Sequence, residues 1–447
     1  MSNNYNRRDF LKFSAATIGS VSLASTALKE KAALADTSDK PIRLGFVGVG
    51  DRGSYHLDCA LGMEGVEVPA ICDIKDSYLY RAKSWIEESG RPTPRLYGKG
   101  KTDFKRLCER EDLDAVICST SWQWHTPVCL AAMNNGKHAV TEVPIVLTVD
   151  EAWELVETFE KTGKWGTLAL EQALLEGHPD LTLVHMVREG LFGDILHCES
   201  GYVHDLRLVK FDPEREPWRL QHSIDRNGNL YPDHPMAKMM PSMDINHGDR
   251  FDYLVSMSSK SGMLNEYAAH YFGEEHPFAT TKMAQGDYNA SLIHTAKGSM
   301  VTLNFDTNTP HPRGFFRMQG TKGVLWSCRS RGSWIYLDGI SPKEHQWEPA
   351  EKYFEKYKHP LYKSYKPKPR KKLRGHGSGR STTPITWYLL VKALREDKMP
   401  FFDVYDSVTS SVISPLTEIS VAEKSKPVDF PDFTKGEWEK REPIKFV

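Results

Sequence analysis

Short apolar segments alternate with charged, amphipathic segments between residues 41 and 162. Apolar runs bounded by turn residues indicate buried strands, whereas spaced apolar positions within a charged segment indicate helices. The pattern predicts strands at 42–47, 66–72, 115–119 and 138–141, and helices at 54–62, 76–89, 102–110, 126–135 and 150–162. Strands that alternate with helices predict βαβ units and a parallel sheet.

The pattern changes after residue 165, where apolar and polar positions begin to alternate. This alternation predicts strands at 195–205, 290–296, 299–306, 315–319 and 324–327, with glycine turns between several of them. Strands of this kind form an open, mostly antiparallel sheet with one solvated face. A parallel sheet followed by an antiparallel one predicts a ligand site in the cleft between them.

A glycine-rich turn joins the first predicted strand to the first predicted helix. The turn has the G-x-G-x-x-G spacing, and Asp73, at the end of the second strand, lies twenty residues after the last glycine, Gly53. The glycines allow close approach of a pyrophosphate, and the acid would bind both ribose hydroxyls and repel a 2′-phosphate, so NAD is expected rather than NADP. A purely structural turn is the alternative. The residues expected to bind the cofactor here are Gly48, Gly50, Asp51, Arg52, Gly53 and Asp73.

These features predict an α/β Rossmann-type doubly wound domain followed by an α+β domain with a large, mostly antiparallel open sheet. The chain has 447 residues, which exceeds what a single core usually supports. We place the NAD-binding domain at residues 36–165 and the substrate domain at 166–447. A helix near 382–395 is expected to pack back on the first domain.

The first 35 residues have the three regions of a twin-arginine signal peptide. Arg7-Arg8 is followed by a weakly apolar run at 13–28 and by the A-x-A sequence at 33–35. The run is too short and polar for a stable membrane span. We therefore expect export to the periplasm, or to the cell surface or medium. A cytosolic amphipathic helix is the alternative.

Charge and cysteine usage narrow the range of ligands. The chain has 58 Lys+Arg and 59 Asp+Glu, a net charge of −1, which argues against nucleic acid as the partner. A basic segment at 351–374 is interpreted as a solvated excursion at the cleft rim, with a nucleic-acid patch as the alternative. The seven cysteines include no C-x-x-C pair, and histidines are dispersed, so neither a disulfide framework nor a metal site is predicted.

The stretch Thr141-Glu142-Val143-Pro144 follows the fourth predicted strand. The N-terminal half resembles the oxidoreductase family of glucose–fructose oxidoreductase and inositol dehydrogenase, in which this stretch usually reads Glu-Lys-Pro. The lysine that orients and deprotonates the substrate alcohol there is replaced by Val143. At this position the sequence is similar to that of glycoside hydrolase family 109, the NAD-dependent α-N-acetylgalactosaminidases.

Further stretches resemble the same family, so that the resemblance covers nearly the whole mature chain. They lie at 122–125, 201–207, 228–234, 246–254 and 375–377, and the Tyr-Pro-x-His sequence within 228–234 is the most specific. The resemblance implies hydrolysis of terminal glycosides, on a small molecule or a terminal glycan. It also implies a cycle of oxidation, elimination, addition and reduction with tightly bound NAD, NAD+ being the resting form. An NAD-dependent sugar oxidoreductase and a carbohydrate-binding protein without turnover are the alternatives.

Tyr231 and His234 are the expected catalytic residues. They lie three positions apart in a Gly/Asn/Pro-rich segment that we interpret as a loop. Histidine moves protons near neutral pH, and a tyrosine beside a cationic nicotinamide can act as a base if its pKa falls. A surface loop histidine is the alternative interpretation of His234.

The remaining expected site residues surround this pair. Tyr202, Arg219 and Arg313 are expected to contact the sugar together with Tyr231 and His234, while structural packing or a solvated charge is the alternative. Leu175 and Arg313 stand where the family usually has tyrosines, which changes the sugar pocket rather than the redox centre. A homo-oligomer through the open sheet is possible on this fold. The further residues expected to contact the cofactor are Trp122, His125, Glu142, Val143 and Gln172.

Overall fold

The structure is a computed structural model that describes residues 40–170, 178–328, 331–365, 374 and 384–446. The predicted signal peptide lies outside the described residues, as do Gln172 and Leu175. One third of the basic segment, residues 366–373, and the Gly-His-Gly sequence at 375–377 also lie outside them.

The first domain is a six-stranded parallel sheet with the strand order 3-2-1-4-5-6. This is the order of a doubly wound dinucleotide-binding sheet, and it confirms the predicted fold class. The strands are β1 Ile42–Val47, β2 Val66–Cys72, β3 Arg95–Tyr97, β4 Ala115–Cys118, β5 His138–Thr141 and β6 Gly166–Thr167. The helices are α1 Asp51–Leu61, α2 Asp76–Glu88, α3 Phe104–Cys108, α4 His125–Asn134 and α5 Val149–Thr162.

Local sequence rules account for the boundaries of several of these elements. Thr148 Oγ1 accepts the Glu151 amide at 3.1 Å in a capping box that begins α5, and Gly163 ends the helix with a φ of 67°. α1 begins at Asp51, three residues before the predicted start, because the glycine turn runs directly into the helix. The short strands β3 and β6 were not predicted, since two or three residues carry no usable periodicity.

The second domain has a nine-stranded sheet in the order β14-β13-β12-β11-β7-β10-β9-β8-β15. Every neighbouring pair is antiparallel except β7 and β10, which confirms the predicted mostly antiparallel sheet. The strands are β7 Ile195–Val203, β8 Phe251–Ser258, β9 Asn289–Thr295, β10 Met300–Asp306, β11 Phe315–Gly320, β12 Gly323–Cys328, β13 Gly332–Leu337, β14 Glu348–Pro349 and β15 Val428–Asp429.

Ten helices are found in the described part of this domain. They are α6 His178–Arg188, α7 Arg207–Phe211, α8 Trp218–Asp225, α9 Asp233–Ser242, α10 Met263–Phe272, α11 Pro277–Thr280, α12 Glu351–Lys356, α13 Leu361–Ser364, α14 Ile385–Arg395 and α15 Val404–Ala422. None of the helices described in either domain is both long and apolar enough to cross a membrane.

The last two helices connect the domains. α14 packs Trp387, Leu390 and Val391 into the core that holds β1 of the first domain. α15 is buried along most of its length, and a capping box formed by Asp403 and Asp406 begins it. Because nearly every face of α15 is buried, its sequence shows no amphipathic period and it was not predicted.

The cysteines occupy the positions expected of small apolar side chains. All seven are free thiols, six of them are buried, and Cys328 is half-buried. Burial raises the pKa of the Cys198 thiol to about 12, so that this group stays protonated and unreactive at neutral pH.

Candidate active site

A cleft of about 2270 Å³ lies between the two domains, at the carboxyl ends of the parallel strands. Open α/β sheets bind their ligands at this edge. The cleft brings together most of the residues that the sequence predicted. Those that line it are Gly48, Gly50, Asp51, Arg52, Asp73, Trp122, Glu142, Val143, Tyr202, Arg219, Tyr231, His234 and Arg313.

The glycine loop folds so tightly that side chains would not fit. Gly48 has a φ of 80°, and a Cβ there would lie 2.5 Å from the carbonyl oxygen of Ser119. A Cβ at Gly53 would lie 1.9 Å from the Gly48 carbonyl oxygen. These contacts explain the glycine spacing, and they let the start of α1 face the cleft with bare backbone, as pyrophosphate binding requires.

Asp73 is held beside this loop. Its Oδ2 accepts the Val49 amide at 2.8 Å, and its Oδ1 accepts the Lys75 amide at 2.9 Å. Burial raises the pKa of Asp73, while these backbone hydrogen bonds oppose the shift. The carboxylate lines the cleft and can accept from ribose hydroxyls.

Two further groups fit a bound dinucleotide. Arg81 on α2 donates to the carbonyl oxygens of Val49 and Gly50 at 2.8 and 3.0 Å, which fixes the loop. Ser119 Oγ lines the cleft beside the loop and is buried without a hydrogen-bond partner in the described part of the chain. An orphaned hydroxyl at this point is suited to a ligand that supplies the missing partner.

Glu142 is clamped by two side chains of α1. Arg52 Nε donates to its carboxylate at 2.6 Å, and His56 Nε2 lies 2.5 Å from the same oxygen. Burial alone raises the pKa of Glu142, but Arg52 and His56 hold it well below its usual range. His56 was not predicted, although its i,i+4 spacing from Arg52 places both on one helix face. Val143, at the position of the superfamily lysine, is buried and lines the cleft.

Trp122 and His125 follow β4, and the structure gives them different surroundings. Trp122 lines the cleft and stacks on Tyr231, with ring centroids 5.3 Å apart. His125 is 1% exposed, and its ring nitrogens contact the carbonyl oxygens of Pro144 at 2.7 Å and Thr120 at 3.0 Å. His125 therefore joins two loops of the cleft wall, and its contact with the cofactor stays a prediction.

Tyr231 and His234 come together with Tyr202 in a compact aromatic group. The centroids of Tyr231 and His234 are 4.8 Å apart, and Tyr202 lies 4.5 Å from Tyr231 and 5.1 Å from His234. The prediction of a loop is correct for Tyr231, which is buried but lies in the irregular segment before α9. It was wrong for His234, which lies in the first turn of α9, beginning at Asp233.

The helix that carries His234 is anchored to the centre of the molecule. Asp233 Oδ1 accepts hydrogen bonds from Ser410 and Ser411 of α15, both at 2.7 Å. Ser411 Oγ also accepts the amide of Ile145, in the segment after Glu142, at 3.0 Å. This anchor fixes the first-domain side of the cleft relative to the helix that carries His234, and it was not predicted.

Arg219 lies against the aromatic rings of Trp122 and Tyr231. Its guanidinium stands 5.0 Å from the Trp122 centroid and 5.1 Å from that of Tyr231, and it pairs with Glu216. Burial lowers the pKa of Arg219, but the Glu216 carboxylate and nearby tyrosine hydroxyls raise it overall. Arg219 is therefore a permanent positive charge beside Tyr231.

Arg313 reaches the same group from the edge of the cleft. Its Nη2 donates to His204 Nδ1 at 2.8 Å, and the Tyr202 hydroxyl lies 3.3 Å from that nitrogen. The sequence predicts a strand at 195–205, but β7 ends at Val203, so that His204 follows it. Arg313 is exposed, so it can contact a sugar that enters the cleft.

A separate group of possible metal ligands lies outside the cleft. The ligand atoms of His247, Asp403 and Asp406 are within 4.8 Å of one another. Arg441 donates to Asp403 and approaches His247 at 3.1 Å, while Asn246 donates to Asp406 at 3.1 Å. A guanidinium already compensates these carboxylates, and we infer no metal site there.

Solved structures with a similar fold are sugar and polyol oxidoreductases. A levoglucosan dehydrogenase in complex with NADH and L-sorbose matches with a TM-score of 0.66, covering 88% of this chain and 100% of that chain at 19% identity. An inositol dehydrogenase homologue from Azotobacter vinelandii, complexed with NAD+, matches with a TM-score of 0.62, at 88% and 98% coverage and 17% identity. This similarity shows the fold.

Relatives of higher identity match along the whole chain. A protein of Shewanella baltica named glycosyl hydrolase family 109 protein is 36% identical over 464 residues, which cover 99% of each chain. A Shewanella oneidensis protein named alpha-N-acetylgalactosaminidase matches with the same identity and coverage.

Two family models match adjacent parts of the chain. Residues 42–169 match the oxidoreductase family, NAD-binding Rossmann fold. Residues 177–440 match the glycosyl hydrolase 109 C-terminal domain. The chain is therefore a glycoside hydrolase that belongs to glycosyl hydrolase family 109.

Proposed function

We propose that the protein hydrolyses terminal α-N-acetylgalactosaminides through a cycle of oxidation, elimination, addition and reduction with no net redox change. One observation carries the proposal: Tyr231 and His234 face the cofactor-binding loop across a single cleft. The name of the Shewanella oneidensis relative supports the substrate class. The predicted changes at Leu175 and Arg313 make the sugar pocket the part of the site to test first.

The first domain is suited to hold NAD through the backbone of the glycine loop and the carboxylate of Asp73. NAD held there would supply reversible hydride transfer at C3 of the sugar, while Tyr231 or His234 would take the proton from the C3 hydroxyl and later give it back. Because the hydride returns to the same molecule, the cofactor has no need to leave during turnover. We therefore propose tight binding with NAD+ as the resting form.

Tyr231 and His234 then move the protons. A ketone at C3 makes the C2 proton acidic, and one of these two side chains removes it while the substituent at C1 leaves. Water adds at C1, and the same group, after its proton has exchanged with solvent, returns a proton to C2. The guanidinium of Arg219 lies 5.1 Å from the centroid of the Tyr231 ring, so a fixed positive charge stands beside one of the two groups proposed to move protons.

The cofactor side of the cleft has no lysine base at the position after Glu142. Val143 is apolar and takes no proton, and Glu142 is already bonded to Arg52 and His56. The proton transfers therefore fall to the second domain. Arg219 and Arg313 are proposed to contact the sugar, with Tyr202 packed against the catalytic pair.

A panel of nitrophenyl α- and β-glycosides tests the proposed activity, with NADH absorbance followed in parallel. The proposal predicts release of nitrophenol from the α-N-acetylgalactosaminide by protein as purified, without steady accumulation of NADH. Accumulating NADH without released nitrophenol would indicate a sugar oxidoreductase instead. Binding of the sugars with neither signal would indicate a carbohydrate-binding protein.

We also propose export by the twin-arginine route to the periplasm. The sequence supports this proposal through Arg7-Arg8, the apolar run and the A-x-A sequence. The route suits this protein because it exports proteins that are already folded and loaded with cofactor. Fractionation of cells that express the wild type or R7K/R8K tests the proposal. The wild type is expected in the periplasm and the variant in the cytoplasm.

The open sheet supports a proposed homo-oligomer. One of its faces exposes Tyr253, Met257, Leu292 and Met300, whose strands β8, β9 and β10 are neighbours. Light scattering of the purified protein should give more than one chain per particle. Leu292→Lys, which places a charge at the centre of this patch, should reduce the particle to a single chain.

A further inference from the structure

Lys210 on α7 is a buried cation behind the sugar side of the cleft. Its side chain is 3% exposed, and Nζ donates to Ser223 Oγ at 3.0 Å, Thr307 Oγ1 at 2.9 Å and Asn308 Oδ1 at 2.6 Å. All three ammonium hydrogens are bound by neutral oxygens, and no carboxylate among the described residues forms an ion pair with it. A buried charge without a counter-ion is costly, and the mechanism above does not use it.

A small cavity lies beside Lys210. Its volume is about 10 Å³, close to the space that one buried water requires. Lys210 lines this cavity together with Arg219, Tyr202 and Tyr231. The same cavity therefore borders both the buried cation and the residues proposed to act on the sugar.

Gln285 provides the polar link across this space. Its side chain is 1% exposed, and its Oε1 accepts from Ser223 Oγ at 2.7 Å. Its Nε2 is buried, has no hydrogen-bond partner among the described residues, and belongs to a residue that lines the cavity. A water in the cavity would satisfy this nitrogen, since buried donors are almost always paired.

We propose that Lys210 is a positioning residue for the proposed glycosidase reaction, its ammonium holding Arg219 and Tyr231 in place through Ser223, Gln285 and one water in the cavity. The inference rests on the proposed function, because it gives these contacts a role in turnover. Lys210 touches neither the sugar nor the cofactor. It joins α7, α8 and the segment after β10, the three elements beneath the sugar pocket.

The groups around Lys210 make this position sensitive to pH. Burial, reinforced by the positive charge of Arg219, lowers the pKa of Lys210 to about 7, against the opposing carboxylates, which are Asp306, Asp287 and Asp205. His222 on α8 also lines the cavity, and burial lowers its pKa to about 4, so it is neutral in this range. Above pH 7 Lys210 becomes an amine with only two hydrogens and can no longer donate to all three oxygens.

Variants of Lys210 and Gln285 test the inference in the full-length protein. Lys210→Met should lower kcat/KM about 10- to 100-fold at pH 6 and should abolish a decline of kcat/KM that the wild type shows above about pH 7. Its NAD content should stay unchanged. Lys137→Met is the matched control, because Lys137 is 4% exposed and bonds a backbone carbonyl remote from the cleft. The control should keep the wild-type profile.

Gln285→Leu keeps Lys210 and removes the link to the cavity. It should lower kcat/KM about 10-fold with NAD retained, and it remains informative if Lys210→Met does not fold. A wild-type pH profile in Lys210→Met, or an unchanged kcat/KM in Gln285→Leu, would overturn the inference while leaving the proposed function intact.

A binding-independent readout separates the two proposals. Trp122 lines the same cavity, and its fluorescence emission is obtained by subtracting the spectrum of Trp122→Phe from that of the wild type. This emission should change with pH near pH 7 in the wild type. The same change should be absent when Lys210 is replaced in Lys210→Met. If the wild type cleaves no glycoside of the panel, the proposed function fails and this titration alone decides the link. An emission that does not change with pH would overturn it.

Discussion

Ser411 Oγ donates a hydrogen bond to Asp233 Oδ1 at 2.7 Å, across 178 residues of sequence. The same hydroxyl accepts the amide of Ile145 at 3.0 Å. Asp233 precedes His234, the proposed catalytic residue, and Ile145 lies three residues after Glu142. One buried hydroxyl therefore fixes the first-domain side of the cleft relative to the side that carries His234.

Ser411→Ala should lower kcat more than it changes KM, because it loosens the helix that carries His234. The loss of a buried hydrogen bond should cost about 1–3 kcal/mol of unfolding free energy. Ser420→Ala is the matched control on the same helix, since Ser420 is equally buried but bonds Ser256 and Lys426. Equal kcat values for the two variants would contradict the anchoring role.

Asp73→Ala should remove most of the NAD that purifies with the protein. The change deletes the proposed ribose acceptor and also the acceptor of the Val49 amide in the glycine loop. The measurement is the NAD released on denaturation per mole of protein. Asp76→Ala, on the exposed start of α2, should retain the wild-type content. Full NAD content in Asp73→Ala would show that this carboxylate does not hold the cofactor.

Glu142→Gln should destabilise the protein by about 3 kcal/mol at pH 7, because Arg52 and His56 lose their carboxylate. The folded pKa of Glu142 lies well below its ordinary value of 4.5, so the contribution is complete above pH 4.5 and is lost as pH falls through the folded pKa. Thermal unfolding of both proteins should thus converge in acid. A constant difference from pH 7 to pH 3 would contradict the ion-pair explanation.

His234→Ala should reduce kcat by about 10²- to 10⁴-fold, the usual contribution of a general acid or base. NAD content should stay that of the wild type, since His234 lies on the second domain. His197→Ala, which alters a histidine bonded to Thr302 on the outer face of the sheet, is the control and should keep full activity. Unchanged turnover in His234→Ala would make His234 a structural residue.

The parts of the site that depend on local rules were predictable from sequence. The glycine spacing and Asp73 follow from a turn between one strand and one helix, and the structure shows the close contacts that exclude side chains at Gly48 and Gly53. The strands β2 and β5 were predicted to the residue as well, since turn residues bound the apolar positions of each strand closely on both sides.

The parts that depend on distant contacts were not predictable. Nothing in the segment around Asp233 indicates two serines of α15 as its partners, and prolines and methionines in α9 concealed its helical period. His56 and Lys210 also acquire their roles from residues far along the chain. The grouping of Tyr231 and His234 as catalytic came from the resemblance to family 109, not from periodicity.

The central claim is that hydrolysis proceeds through a ketone at C3 and loss of the C2 proton. A nitrophenyl α-N-acetylgalactosaminide deuterated at C2 tests it directly when turned over in ordinary water by protein that carries its own NAD. Our account predicts nitrophenol release, no steady accumulation of NADH, and a sugar product that has lost its deuterium. Hydrolysis with deuterium fully retained at C2 would mean direct displacement at C1 and would contradict the account.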